Sequence, residues 1–374
     1  YRAASDTLTQ LATERDVLRA RTARTPAQEE RLAQLDQQWD AAEQAFNRLL
    51  NEIHTALAAT RRDKVEQVEE AEGLMSDLDE LGEGTVAIYT LVGEQRLYLL
   101  LITPTLRRAY SVAVSEAEVN RAALAFRQAL SNPRQDPRPA AQQFYQWLIA
   151  PLQADLQDSG AKTLLWSLDG SLRYLPMAAL HDGHQYLAER YAQFIFTPAS
   201  QTRLKDRPQT AWQGLGLGVT QAHADFPALP AVRAELTAII RDGDQETGLL
   251  PGKLLFDEDF TLEALLRELQ QRRPLVHISS HFRFTPGNDS QSYLLLGNGT
   301  LSLDRIQAER TLFRGVDLLT LSACETAVGD TPNATGAEVE GFAVLAQRKG
   351  AKAVLATLWS VADTSTAQFM KRFY

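Results

Sequence analysis

The feature that most constrains this chain is the regular alternation that begins at Gln213. Strand-like runs at 214–219, 253–256, 274–280, 293–296, 317–323 and 351–358 alternate with helix-like stretches at 230–241, 261–272, 304–312, 337–348 and from about 363. That order is the signature of βαβ units, which wind into a mainly parallel sheet. Pro274-Leu-Val-His-Ile-Ser-Ser-His281 and Asp317-Leu-Leu-Thr-Leu-Ser-Ala-Cys324 are nearly continuous apolar runs, as expected of strands with helices over both faces. Leu294 to Leu303 inserts a small hairpin. Gly214-Leu-Gly-Leu-Gly218 is not a dinucleotide-binding turn, because Gln221 stands where the third glycine is needed; it reads as a strand with close backbone packing.

The upstream sequence has a different texture. Leu32, Leu35, Trp39, Ala42, Phe46, Leu49 and Ile53 form an a/d seam over three heptads, and Thr25-Pro26 supplies an N-cap with proline at the first helical position. Residues 1–80 therefore read as a helical hairpin, with an oligomerising coiled coil as the alternative. Thr85–Val92 and Arg96–Thr103 are β-rich and joined by a Gly93-Glu94 turn. A loop at Ser131–Pro139, a helix through Phe144, Trp147 and Leu148, and a strand at Lys162–Leu168 ended by Asp169-Gly170 follow. His181 and His184 flank an Asp182-Gly183 turn. Three segments result: 1–80 helical, 81–208 α/β without cysteine, and 209–374 α/β with the chemistry.

Bulk properties narrow the function. A hydrophobic fraction of 44% supports a sizeable core, and a net charge of −9 argues against direct nucleic-acid binding. No apolar run approaches the roughly 20 residues that span a bilayer. No secretory signal is visible, and the chain begins at Tyr1 without methionine, so it reads as a piece of a longer protein. One cysteine excludes an internal disulfide and any multi-cysteine zinc site, and fits a reducing cytoplasm.

That cysteine, Cys324, closes one strand run and His281 closes another. Sites in open α/β sheets form beyond the C-terminal strand ends. A thiol near its reference pKa of about 8.5 is only a few per cent ionised at pH 7. A neighbouring histidine activates it and later protonates the leaving amine. The backbone N–H groups of Cys324 and of Phe282, just after His281, are candidate oxyanion donors. The residues alone leave two readings open: a Cys–His hydrolase, or a small buried cysteine at a strand end. His277 and His281 are poor joint metal ligands, because i and i+4 on a strand stand about 13 Å apart; no metal and no cofactor are expected.

The motifs His-Ile-Ser-Ser-His281, Ser292-Tyr-Leu-Leu-Leu-Gly297, Leu319-Thr-Leu-Ser-Ala-Cys-Glu-Thr326, Gly350–Trp359 and Val361-Ala-Asp-Thr-Ser-Thr366 together resemble the CHAT family of caspase-like cysteine proteases, distant relatives of separase. Asp169–Leu180 and Leu229–Glu235 are similar to family segments too, so the likeness runs over about 80–374. The resemblance implies a caspase-like, mainly parallel sheet flanked by helices over 209–374. It is preceded by a pseudo-protease α/β subdomain over 81–208 and the N-terminal helical hairpin. It implies endoproteolysis of a protein substrate with His281 and Cys324 as the catalytic pair, His277 being a supporting strand residue. It also implies regulated proteolysis in bacterial signalling or defence, switched by an upstream sensor or repeat domain. The alternative is a catalytically silent scaffold. Many caspase-like proteins have glycine after the histidine, where this chain has Phe282, a bulk that bears on pocket shape. Metacaspases carry Asp two residues before the cysteine, where this chain has Ser322. By resemblance to separase, Asp363 lines an S1 pocket for Arg or Lys; its other reading is a cap on the helix that follows. Glu325 reads as structural.

Overall fold

The structure, a computed structural model, describes residues 25–35, 37–38, 74, 77–196, 203–223, 226–243, 247–283, 290–324, 342–358 and 363–374. The chain divides into two compact units, Tyr1–Glu72 and Gly73–Tyr374. In the first, a helix covers 26–35. Its start is capped reciprocally: the Thr25 N–H donates to Gln28 Oε1 at 3.0 Å and the Gln28 N–H to Thr25 Oγ1 at 3.4 Å. Most of the heptad seam, from Trp39 to Ile53, lies outside the described residues.

The second unit holds two sheets. The first orders its strands β3-β2-β1-β4-β5, with β1 at Thr85–Val92, β2 at Leu97–Ile102, β3 at Arg107–Val112, β4 at Thr163–Ser167 and β5 at Ala192–Ile195. The expected β1–β2 hairpin is present, and β4 lies parallel to β1. Helices α1 (Glu116–Ser131) and α2 (Arg138–Leu148) cover it; Phe126 and Phe144 stack at 5.7 Å, and both are fully buried with Trp166. The His181–Tyr186 turn forms as expected, with Asp182 Oδ1 accepting the N–H groups of His184 and Gln185. Helix α3 is Gln153–Asp158.

The second sheet carries the alternation: β6 (Gly214–Gly218), α4 (Ala231–Ile239), β7 (Ile240–Asp242), β8 (Leu250–Phe256), α5 (Leu262–Leu269), β9 (Leu275–Arg283), β10 (Tyr293–Leu296), β11 (Gly299–Ser302), α6 (Leu303–Ala308), β12 (Leu318–Cys324), α7 (Phe342–Arg348), β13 (Ala353–Ala356) and α8 (Asp363–Phe373). β7, β8, β6, β9, β12 and β13 lie side by side in that order, all parallel, and the β10–β11 hairpin pairs antiparallel to the end of β9. From β6 the chain winds outward to β7 and β8, then crosses to β9 on the other side. The switch point therefore lies between β6 and β9. Among the described strands of this half only β7 was not foreseen; three residues are too short for a periodic signal.

The pleat sorts β9 into two faces. Val276, Ile278 and Phe282 join the core formed with α5, α6 and α7. Leu275, His277, Ser279 and His281 face the side of α4 and α8, where Val232, Leu236, Ile239 and Met370 pack. The glycines of β6 leave room for side chains of β7 and β8 and, at Gly218, for α4. A Cβ on Gly214 would lie 2.7 Å from Ile240, on Gly216 2.5 Å from Leu254, and on Gly218 2.7 Å from Val232. The run is a fully buried strand with close packing, as its Gly-Leu-Gly-Leu-Gly pattern predicted. Among the described residues no helix is long and apolar enough to cross a membrane.

Candidate active site

β9 and β12 run in register from Leu275 beside Leu318 to His281 beside Cys324. Neighbouring strands are about 4.8 Å apart, so the backbones of His281 and Cys324 are adjacent at the C-terminal edge of the sheet, next to the switch point. The Cys324 side chain lies outside the described residues, as do Glu325 and the rest of the segment up to 341.

His281 is held from the neighbouring loop between β6 and α4. Its ring, 5% exposed, stacks on Phe226 at 4.8 Å and 28°. Its Nε2 lies 2.9 Å from the Pro227 carbonyl oxygen. A carbonyl only accepts, so Nε2 carries the hydrogen, and in the neutral ring Nδ1 keeps the lone pair. Arg283 lies over Phe226 and Tyr293, with 4.9 and 5.8 Å to the ring centroids. Phe226 is positioned by paired backbone bonds with His223. The start of this loop is tied to Asp257. Asp257 Oδ1 accepts the Thr220 N–H at 2.6 Å and the Gln221 N–H at 3.2 Å, and Oδ2 accepts the Thr220 hydroxyl at 2.7 Å. Burial works to raise the Asp257 pKa, but these bonds and the Arg233 charge outweigh it and hold the carboxyl below its usual range. Asp257 sits at φ +48°, and Gly297 leaves room for its backbone: a Cβ there would fall 1.5 Å from the Asp257 carbonyl oxygen.

One strand-length below, His277 is fully buried, and its Nε2 meets Glu235 Oε1 at 2.8 Å. The Glu235 side chain is 1% exposed and comes from α4, which packs against β6 most closely at Gly218. Among the described residues His277 Nδ1 has no partner. The Tyr374 ring lies 5.6 Å from that of His277, and its hydroxyl bonds Thr320 Oγ1, opposite His277 on β12. Burial pushes the Tyr374 phenol well above its usual range. His277 is thus a core residue of a buried polar row. Among the described residues no group of three or more His, Cys, Asp or Glu side chains is arranged to hold a metal.

Phe282 turns away from His281. It is buried on the opposite face of β9 and meets Phe342 edge-on at 5.6 Å, so its bulk fills core. Asp363 opens α8 itself, one residue earlier than the expected helix start at Thr364; its side chain lies outside the described residues. Just before it, the Leu358 carbonyl accepts from Arg127 Nη2 of α1 at 3.2 Å. Arg127 also lies over the Tyr174 ring at 5.3 Å, and burial lowers its pKa. Helix α1, on the first sheet, thereby braces the end of β13 in the second. The Pro227 carbonyl, Phe226 and the Glu235–His277 pair had no place in the sequence reading, although Glu235 stood in a segment that resembled the family.

The CHAT domain family model matches residues 138–374. The chain belongs to the CHAT family. The match starts at α2, later than the expected beginning near residue 80, so β1–β3 and α1 of this CHAT protein precede it although β1 is hydrogen-bonded to β4 inside it. The parallel sheet flanked by helices is the caspase-like α/β architecture of that family. Among curated proteins nothing matches the chain.

Proposed function

We propose that this CHAT domain is a cysteine endopeptidase in which Cys324 is the nucleophile and His281 its base. The observation that carries the reading is the β9–β12 register, which sets Cys324 beside a histidine whose Nε2 is committed to the Pro227 carbonyl. His281 Nδ1 takes the thiol proton, and the Cys324 thiolate attacks the scissile carbonyl carbon. The oxyanion is met by the backbone N–H groups of Phe282 and Cys324. On collapse the C–N bond breaks, the amine leaves with the proton from His281, and a thioester remains. Water, deprotonated by the same ring, then attacks the thioester; the acid departs and the thiol reforms.

The substrate is a protein segment. Asp363, at the start of α8 and close in sequence to the braced Leu358, is the candidate S1 carboxylate for Arg or Lys. Residues 81–208 serve as the non-catalytic half that braces the active one. The setting is regulated bacterial proteolysis in a reducing cytoplasm, with a preceding sensor or repeat domain as the switch.

A thiol-reactive acyl probe tests the assignment. Labelling of wild-type protein that vanishes in Cys324→Ala and weakens in His281→Ala supports it. Equal labelling of wild type and Cys324→Ala, or none in the full-length partner-activated protein, refutes it and leaves the silent scaffold.

A further inference from the structure

A cleft of about 340 Å³ opens at the end of the second sheet opposite Cys324. Its walls come from the segment before β12, the segment before β13, and the stretch that leads into β6. Arg203, Arg310, Arg314, Arg348, Lys349 and Lys352 line it, against one acid, Asp206. In a chain of net charge −9, such a gathering of cations from three separate stretches needs a cause.

Local structure accounts for some of them. Arg348 and Lys349 stand at the C-terminus of α7, where cations complement the helix dipole. Lys349 Nζ also donates to the Gln307 carbonyl. Lys352 is neutralised by Asp317 Oδ1 at 2.8 Å and donates to the Arg207 carbonyl at 2.9 Å. Arg203, Arg310 and Arg314 lie on no helix. Among the described residues none of these three is ion-paired. Arg310 and Arg314 are exposed.

The cleft is built beforehand. The Phe313 N–H donates to the Lys349 carbonyl at 3.0 Å, and Gly350, at φ +117°, lies so close that a Cβ would stand 2.9 Å from the Arg314 backbone. The two loops that carry five of the six cations are therefore locked together. Three unpaired guanidinium groups around a concave, fixed floor make a fork-donor site for clustered oxyanions. The volume is that of a small-molecule pocket, and the net charge of −9 disfavours a long nucleic-acid track.

We propose that this cleft binds a small molecule carrying two or more linked phosphate groups, a free polyphosphate or the phosphate chain of a nucleotide. The site is independent of the peptidase assignment. Calorimetry of the full chain with inorganic tripolyphosphate, ATP and citrate is the test. Tripolyphosphate is expected to bind more tightly than citrate, with an affinity that falls several-fold as salt is raised. Arg310→Ala and Arg314→Ala should each weaken it about tenfold, with Arg314→Lys in between because it keeps charge and loses the fork. Arg305→Ala, exposed and outside the cleft, should leave it unchanged. ATP matching tripolyphosphate identifies the phosphate chain alone as ligand, and ATP binding more tightly identifies a nucleotide. The proposal is overturned if tripolyphosphate binds no better than citrate, or if the cleft variants bind as wild type does.

Discussion

Replacing Glu235 by alanine should destabilise the second unit by about 2–4 kcal/mol. Two contributions lead there. The His277 Nε2–H loses its acceptor in a site with no solvent access, which costs about 1–3 kcal/mol for a stranded donor. The ring has no escape through its other tautomer, because Nδ1 already lacks a partner and flipping the proton would strand the same nitrogen pair again. The lost side-chain stem adds about 0.8 kcal/mol per buried methylene. Glu235→Gln keeps a carbonyl oxygen within reach of Nε2, so its cost should be near 1 kcal/mol. Urea unfolding of single and double variants, Glu235→Ala with His277→Ala, gives the coupling between the two positions. The expected coupling is at least about 1 kcal/mol, the scale of a buried hydrogen bond. If both Glu235 variants fall within about 0.5 kcal/mol of wild type with an unchanged m-value, or if the double variant is simply additive, the buried pair is not holding α4 to β9 and the reasoning fails.

Other outcomes follow from the same structure. Asp257→Asn tolerates φ +48° but removes the acceptor charge, and should cost about 1–2 kcal/mol. Because the folded Asp257 pKa is lowered, its contribution is complete above the unfolded value of about 3.9 and is lost as pH falls through the folded one; urea midpoints of wild type and Asp257→Asn, measured at a series of pH values, should therefore converge as pH is lowered. Gly216→Ala places a Cβ 2.5 Å from Leu254 and should cost about 1–3 kcal/mol in thermal unfolding, whereas Gly299→Ala meets nothing within 4 Å and should not be strained by contact. Phe226→Ala removes the ring stacked on His281 and should slow acyl-probe labelling of Cys324 more than it lowers stability. Asp363→Ala should erase a preference for Arg or Lys at P1 in a peptide library; an acidic or apolar preference in wild type would refute the pocket assignment.

Much of the second sheet was legible because its evidence is local. A buried parallel strand must be apolar along its whole length, so the runs ending at His281 and Cys324 identified themselves, and the helices between them carried their own period. The weaker strands of the first sheet were not legible: β3 is Arg-Arg-Ala-Tyr-Ser-Val, and β5 is an edge with Phe194 and Ile195 exposed. Their strand state comes from neighbours that supply hydrogen bonds.

The sequence by itself determined most of the element order in the second sheet, the bare glycine strand, the turn at Asp182-Gly183, and that a cysteine and a histidine would end strands of one sheet. Only the tertiary structure decided which strands became neighbours and what lay over each face. The register that sets Cys324 beside His281 is a pairing across 43 residues. The orienting acceptor for His281 is a backbone carbonyl, which has no side-chain signature at all. Glu235 finds His277 because α4 packs against the glycine strand, most closely at Gly218. The basic cleft is assembled from stretches that are unremarkable one at a time. Periodicity and turn chemistry act over a few residues and are written in sequence; proximity is a property of the folded chain.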